Sequence, residues 1–80
     1  MKYTCPECGG QLAVAYIGEY TDHRLVGTTS GKPYKRRFKK SEGKAFMVSS
    51  VYCTGCGYEL TDATGEMKSG LPERYYHMNV

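Results

Sequence analysis

The four cysteines of this sequence form two pairs with identical spacing. Cys5 and Cys8 lie in CPECG, while Cys53 and Cys56 lie in CTGCG. A two-residue gap lets both sulfurs of one tight turn approach the same ion, and the glycine that follows allows the backbone angles that turn amides toward sulfur. The pattern predicts a closed tetrahedral site of four thiolates. One Zn²⁺ ion is the expected occupant, because it suits four thiolates and brings no redox chemistry; iron is the alternative.

Two other interpretations of the cysteines fit the rest of the chain less well. A pair of disulfides would suit a secreted miniprotein, but MKYTCPECGG contains no apolar stretch of the signal-peptide kind. A thioredoxin-like motif uses one pair at a helix start in a βαβ unit, and no such unit is visible. No run of about 18 apolar residues suggests a membrane span. We therefore expect a cytoplasmic protein, in which thiols stay reduced, with no membrane partner.

An enzymatic role is not expected from these residues. Four thiolates leave no open coordination position for hydrolytic zinc chemistry. His23 and His77 are the two histidines, and His23, beside a turn signal, is expected to be exposed and polar. No catalytic residue is assigned, and no small-molecule substrate is expected.

A second feature is the basic segment, residues 32–44, with the sequence KPYKRRFKKSEGK. It holds seven of the eleven Lys and Arg residues and one carboxylate, Glu42, so its net charge is +6 and that of the remaining chain is −3. Such cations can follow a phosphate backbone, and interleaved aromatic rings can stack on unpaired bases. The predicted nucleic-acid-binding residues are Lys32, Tyr34, Lys35, Arg36, Arg37, Phe38, Lys39, Lys40 and Lys44. The alternatives are an acidic protein surface as the partner, or a solvated edge strand whose charges prevent aggregation.

The elements that must position these residues are predicted to be strands. Alternation places Leu12, Val14 and Tyr16 on one face of a strand over residues 11–20. Further strands are predicted over residues 23–28, 34–40 and 44–52, separated by turns at 21–22 and 29–33 and by a hairpin connection at 41–43. No helical period is convincing between the cysteine pairs. The fold class is therefore a small metal-stabilised all-β protein, an antiparallel β-meander in which the basic segment forms an enlarged hairpin.

Two CxxCG turns that pin the ends of such a meander resemble the zinc ribbon family. The resemblance covers residues 3 to about 60 and implies a zinc ribbon domain over residues 1–60, followed by a C-terminal tail over 61–80. The tail opens a short helix at Pro72 or packs back as an extended segment. Zinc ribbons serve in transcription factors, RNA polymerase subunits, ribosomal proteins and some antitoxins. Those of transcript-cleavage factors carry an acidic pair at a hairpin tip, whereas this chain has Glu42 among cations.

The cysteine turns also resemble those of rubredoxins, in reversed order. VYCTGCGYELTDATG is similar to the first rubredoxin turn and YTCPECGG to the second, a resemblance that implies bound iron and electron transfer. The function expected is that of a non-enzymatic zinc-binding module that engages nucleic acid. The alternatives are a transcription-associated or antitoxin-like adaptor for an acidic protein partner, and a rubredoxin-like electron carrier.

Overall fold

A computed structural model describes residues 2–42 and 48–78 of the chain. Its regular elements are the strands β1 (Leu12–Ile17), β2 (Thr21–Leu25), β3 (Lys39–Ser41) and β4 (Ser50–Cys53) and one 3-10 helix (Glu73–His77). The predicted all-β class is confirmed. Among the residues that the structure describes, no helix has the length and apolar character needed to cross a bilayer.

The four strands form one antiparallel sheet in the order β3-β2-β1-β4. The first three strands follow one another as predicted for a meander, but β4 lies beside β1 and not beside β3. This is the strand order of a Greek key, in which the fourth strand returns to the first. Its consequence is that the cysteine at the end of β4 lies next to the start of β1, where the first cysteine pair also lies.

The predicted alternation of β1 is confirmed. Leu12 and Val14 are buried in the main apolar cluster, together with Val51 of β4 and Leu60. Ala13 and Ala15 point to the opposite face and are also fully buried. Since β1 is covered on both faces, it is the central support of the sheet.

The segment after β4 packs back on the sheet. Tyr75 in the 3-10 helix is buried in the main cluster, and its hydroxyl donates a hydrogen bond to the carbonyl of Thr4. Arg74 Nε donates to the carbonyl of Lys2 at 2.9 Å. Of the two alternatives for the tail, the short helix is therefore observed, and it contacts the chain just before the first cysteine pair.

The turn predicted at Thr21 and Asp22 is wrong. Both residues belong to β2, and Thr21 pairs with Ile17 of β1 and is buried. The reversal occurs earlier, over residues 18–20, where the amide of Gly18 donates to the carbonyl of Tyr20 at 3.1 Å. Since the reversal is complete at Tyr20, the β-branched Thr21 can extend the sheet.

The path predicted for the basic segment also needs correction. The strand expected over residues 34–40 is limited to β3, and β3 pairs with β2 instead of with the chain that follows it. The hairpin is therefore formed by β2 and β3, with residues 26–38 as the connection. Lys44 and the rest of residues 43–47, including part of the strand predicted over 44–52, lie outside the described residues.

Candidate metal centre and basic edge

The two cysteine pairs lie in two turns with the same backbone plan. Thr4 pairs with Gln11 in an isolated antiparallel bridge, and Tyr52 pairs with Glu59 in another. We call residues 4–11 the first knuckle and residues 52–59 the second knuckle. In each knuckle the first cysteine directly follows the first bridge residue, so the equal spacing of the sequence becomes equal geometry.

A glycine closes each knuckle. Gly9 and Gly57 have φ angles of 76° and 79°, a region that side chains with a Cβ adopt only at a cost. The amide of Gly9 donates to the carbonyl of Cys5 at 2.9 Å, and the amide of Gly57 donates to that of Cys53 at 3.1 Å. This geometry brings each second cysteine back toward the first.

The four sulfurs converge on one point. The Sγ atoms of Cys5, Cys8, Cys53 and Cys56 all lie within 4.8 Å of one another. The Cys5–Cys56 distance is 3.7 Å and the Cys8–Cys53 distance is 3.3 Å, so both of these contacts join the two knuckles. A tetrahedral ion with metal–sulfur bonds of about 2.3 Å requires sulfurs about 3.8 Å apart. The predicted ligand set is therefore brought together, and its spacing fits a metal ion.

Backbone amides point at the sulfurs of both knuckles. N–H groups that donate to sulfur favour the thiolate over the thiol. The observed N···Sγ distances are 3.3 Å from Glu7 to Cys5, 3.4 Å from Gly10 to Cys8, 3.2 Å from Gly55 to Cys53 and 3.4 Å from Cys56 to Cys53. The knuckles thus stabilise negative charge on the sulfurs that would surround a cation.

The thiol of Cys53 is the most acidic of those with a resolved shift. Burial raises its pKa, but the amide of Cys56, the thiol of Cys8 and the amide of Gly55 together outweigh burial and lower the pKa to about 6. These donors therefore favour the thiolate form of Cys53.

Ionisation of the thiols of Cys56 and Cys8 is opposed by their surroundings. The amide of Tyr58 lowers the pKa of Cys56, but the neighbouring Cys8 thiol and desolvation outweigh it and raise the pKa to about 12. For Cys8, the lowering by the Gly10 amide is likewise exceeded, chiefly by Cys53, and the pKa is raised. Four adjacent thiolates need a cation to balance their charge, so metal binding must be accompanied by proton release.

The second candidate site lies along the side of β2 that faces away from β1. We call residues 32–41 the basic edge. Pro33 forms a bridge with Val26, the amide of Tyr34 donates to the carbonyl of Leu25 at 2.8 Å, and the amide of Phe38 donates to the carbonyl of His23 at 2.9 Å. The chain therefore stays attached to β2 before and after the cations at positions 35–37.

Those cations occupy a bulge. Tyr34 and Phe38 are four positions apart, whereas their acceptors Leu25 and His23 are two positions apart on β2. Between the pairs Val26–Pro33 and His23–Lys39, the basic edge holds three more residues than the strand that it faces. Bulges of this kind re-aim side chains and are common beside functional sites. Here the extra length moves Lys35, Arg36 and Arg37 out of the ladder, and all three are exposed.

Two aromatic rings flank the bulge. Tyr34 is 49% exposed and Phe38 is 48% exposed. The hydroxyl of Tyr34 accepts a hydrogen bond from Gln11 Nε2 at 3.4 Å, and the ring of Phe38 meets the ring of His23 at a centroid distance of 6.2 Å. Each ring is thus held by a neighbour while about half of its surface faces solvent.

The cations of the basic edge differ in their contacts. Arg37 pairs with Asp22 at 3.3 Å, and Lys40 Nζ lies 3.6 Å from the centroid of the Tyr20 ring. Within residues 2–42 and 48–78, no ion pair involves Lys32, Lys35, Arg36 or Lys39. The charge of the bulge is therefore mostly available to a partner.

His23 is not exposed, contrary to the expectation from the sequence. It is 3% exposed, with Nδ1 2.8 Å from the hydroxyl of Tyr52 and Nε2 3.1 Å from Oγ of Ser41. Burial, together with the charge of Lys39, lowers its pKa, although Asp22 acts in the opposite direction. This contact network joins β2, β3 and β4, and Tyr52 directly precedes the ligand Cys53. The alternation of β2 was the sequence signal that was missed, because His23 shares a face with the buried Thr21.

A cavity of about 250 Å³ lies between the sheet and the C-terminal segment, lined by residues that include Val14, Tyr16, Val51, Met67, Tyr75 and Met78. Among the described residues that line it, none carries a carboxylate, an imidazole or a thiol. The polar side chains that line it carry hydroxyl groups, among them those of Ser49, Ser50 and Thr61.

Comparison of the chain with protein-family models, with curated proteins and with solved structures finds no match. The likeness to known proteins therefore depends on the knuckles themselves. Two CxxCG turns whose four sulfurs converge give a zinc-ribbon-like arrangement of the cysteines.

Proposed function

We propose that this protein is a non-enzymatic binding module of the zinc ribbon type, which holds one Zn²⁺ ion at its four cysteines and engages nucleic acid through the basic edge. The observation that carries the proposal is the bulge, which presents three consecutive cations between two half-exposed aromatic rings. The metal centre stabilises the fold, and the basic edge makes the contact.

Zinc is favoured by the chemistry of the ligand set. Four cysteines complete a tetrahedral shell and leave no position for a substrate, which is the pattern of structural zinc sites. Such sites contribute about 10–16 kcal/mol in small zinc-binding peptides, well above the few kcal/mol that a core of this size supplies. A cytoplasmic location, where thiols stay reduced, is part of the same proposal.

The identity of the ion is tested by its spectrum and its content. Protein purified under reducing conditions should be colourless and contain one equivalent of zinc by elemental analysis. Replacement by Co²⁺ should give the intense visible bands of a tetrahedral thiolate site. A red protein with one equivalent of iron would contradict the zinc assignment and favour an electron carrier.

Nucleic acid is favoured by the distribution of charge. The basic edge carries six of the chain's eleven Lys and Arg residues, while the chain outside residues 32–44 has an excess of carboxylates. Cations on an edge strand also limit aggregation, but a bulge that carries them away from the ladder is not needed for that purpose. Binding led by phosphates and sensitive to salt is the expected mode.

The test is fluorescence anisotropy of labelled oligonucleotides with the metal-loaded protein, titrated across salt concentration. The double variant Lys35→Glu, Arg36→Glu is compared with the control Lys2→Glu, Lys68→Glu, which changes the net charge equally outside the basic edge. Removal of one phosphate-binding side chain should reduce the log–log salt slope by about 0.9 on duplex DNA and about 0.7 on single strands. The slope should fall for the first variant and stay near the wild-type value for the control.

Equally weakened binding in both double variants would show that net charge, and not the basic edge, controls binding. No binding of any oligonucleotide at low salt would overturn the nucleic-acid proposal. An acidic protein surface would then become the favoured partner, and a pull-down in which the Lys35→Glu, Arg36→Glu protein serves as control would test it.

A further inference from the structure

Within this proposed function, on which the inference rests, we propose that the basic edge is built for single-stranded and not for duplex nucleic acid. Tyr34 and Phe38 stack on unpaired bases, and Lys35, Arg36 and Arg37 bind the phosphates between them. Three observations support this assignment: the exposure of the rings, their fixed backbone positions and the spacing of their backbone anchors along β2.

The two rings are exposed but not loosely held. Their backbone amides are bonded to the carbonyls of Leu25 and His23, at 2.8 and 2.9 Å. Gln11 contacts the Tyr34 hydroxyl, and the edge-on contact with His23 holds Phe38. Rings that are positioned before binding lose little conformational entropy when a base stacks on them.

The spacing of the backbone anchors from which the two rings project suits separated bases. Their backbone anchors lie two residues apart on β2, which is about 7 Å along a strand. Base pairs in a duplex follow one another at about 3.4 Å, which is about half the spacing of these anchors, so bases that remain stacked on each other do not match it. A single strand can open this gap and place a base on each ring.

The bulge itself is poorly suited to reading a duplex. The major groove admits an α-helix or a two-stranded β-ribbon that carries polar side chains to base edges. Here the cations lie between two half-exposed rings, and the faces of duplex bases are already covered by their neighbours. Single strands offer both uncovered base faces and phosphates, which is the combination that stacking platforms with interleaved cations bind.

The experiment measures anisotropy for four labelled probes of one length with the metal-loaded wild-type protein. The probes are a DNA strand, an RNA strand of the same sequence, the DNA duplex, and an abasic strand that keeps the phosphates and lacks the bases. Both strands with bases should bind about tenfold or more tightly than the duplex and the abasic strand at the same salt concentration. The DNA and RNA arms show which single strand is preferred.

Ring variants then locate the stacking. Tyr34→Leu and Phe38→Leu keep apolar bulk but remove the π-face, so each should weaken binding to the strand with bases roughly tenfold and leave abasic-strand binding unchanged. The matched control is Tyr76→Leu, because Tyr76 is also about half exposed but lies on the C-terminal helix. The Co²⁺ spectrum of each variant reports whether its metal centre is intact, and the abasic comparison requires no variant.

Equal binding of all four probes, or ring variants that bind the strand with bases as wild type does, would overturn the single-strand inference and leave the phosphate-binding proposal standing. Failure to bind any probe, with the wild-type protein folded and metal-loaded, would overturn both. Tighter binding to the duplex than to the single strands would also contradict the inference.

Discussion

The first and second knuckles have the same backbone but different supports. The first is held by the C-terminal helix, through the contacts of Tyr75 with Thr4 and of Arg74 with Lys2. The second is held by the sheet, through the contact of Tyr52 with His23. The ligand geometry is thus local to a five-residue motif, whereas the motif is supported by parts of the chain that are distant in sequence.

The knuckles also share an internal difference in burial. In each one the first cysteine is buried, at 3% exposure for Cys5 and 1% for Cys53, and the second cysteine is exposed. An exposed thiol ordinarily tolerates replacement, whereas a buried one does not. A shared metal ion would remove this difference, because all four ligands then contribute to the same bonds.

The largest effect is therefore expected when either a buried or an exposed cysteine is replaced by serine. Cys8→Ser and Cys53→Ser should each release the metal and unfold the domain, because the remaining core supplies only about 3–5 kcal/mol. Backbone chemical-shift dispersion and metal content measure both outcomes. If Cys8→Ser keeps wild-type dispersion while Cys53→Ser does not, burial and not metal ligation would explain the role of these cysteines.

A smaller effect is expected where a knuckle backbone passes close to the sulfurs. A Cβ atom at Gly10 would lie 3.1 Å from Cys53 Sγ and 3.2 Å from Cys8 Sγ, whereas at Gly55 the same two distances would be 3.6 Å. Gly10→Ala must displace the sulfurs and should weaken metal binding roughly tenfold, the scale of disturbances around metal ligands. Gly55→Ala is the matched control, with ordinary van der Waals contacts and little expected change.

Competition for the metal with a chromophoric chelator at fixed pH measures this pair of variants. Wild-type affinity in both Gly10→Ala and Gly55→Ala would contradict the close approach at Gly10. Equally weakened affinity in both would show that the two knuckle backbones limit the sulfurs in the same way, and the contrast between the knuckles would disappear.

The smallest effect is expected in the pH dependence of stability. It depends on His23, which supports the second knuckle through its contact with Tyr52. Burial lowers the pKa of His23 in the folded state, while the unfolded chain protonates near pH 6.5. The stability that neutral His23 contributes is present above about pH 6.5 and is lost as the pH falls toward its folded pKa. Thermal unfolding of the metal-loaded protein should therefore show a steeper acid loss in wild type than in His23→Gln.

Thiol protonation also weakens metal binding in acid, but it does so in both proteins, so the difference between their pH profiles isolates His23. Parallel profiles would contradict the role assigned to the imidazole. A Tyr52→Phe variant that keeps the wild-type pH dependence would show that the hydroxyl contact does not control the titration.

The sequence was a sufficient guide where the determining pattern is local. The cysteine spacing and the following glycines specify the knuckles within a few residues, and alternation was enough to identify β1. The path of the basic edge was not predictable in this way, because Tyr34, Arg36 and Phe38 alternate as a strand would. The bulge depends on which strand becomes the neighbour, and the pairing of β3 with β2 is decided by contacts far along the chain.

Two individual errors have the same origin. Thr21 and Asp22 have turn-forming character, but the chain reverses over residues 18–20 and leaves them in β2. His23 was expected in solvent, but the register of β2 places it among buried residues beside Tyr52. In both cases tertiary pairing overrides a preference that is real in a short peptide.

The distance along the chain between the knuckles has a consequence for how the protein reaches its folded state. Cys8 and Cys53 are separated by 44 residues, and closing a loop of that length costs about 3 kcal/mol in chain entropy beyond a constant term. Each knuckle forms over only a few residues, so one pair can capture an ion before the sheet exists. An ion captured in this way would have two coordination positions left for the second pair, so it would favour the chain conformations in which that pair is near and would guide assembly as well as stabilise its product.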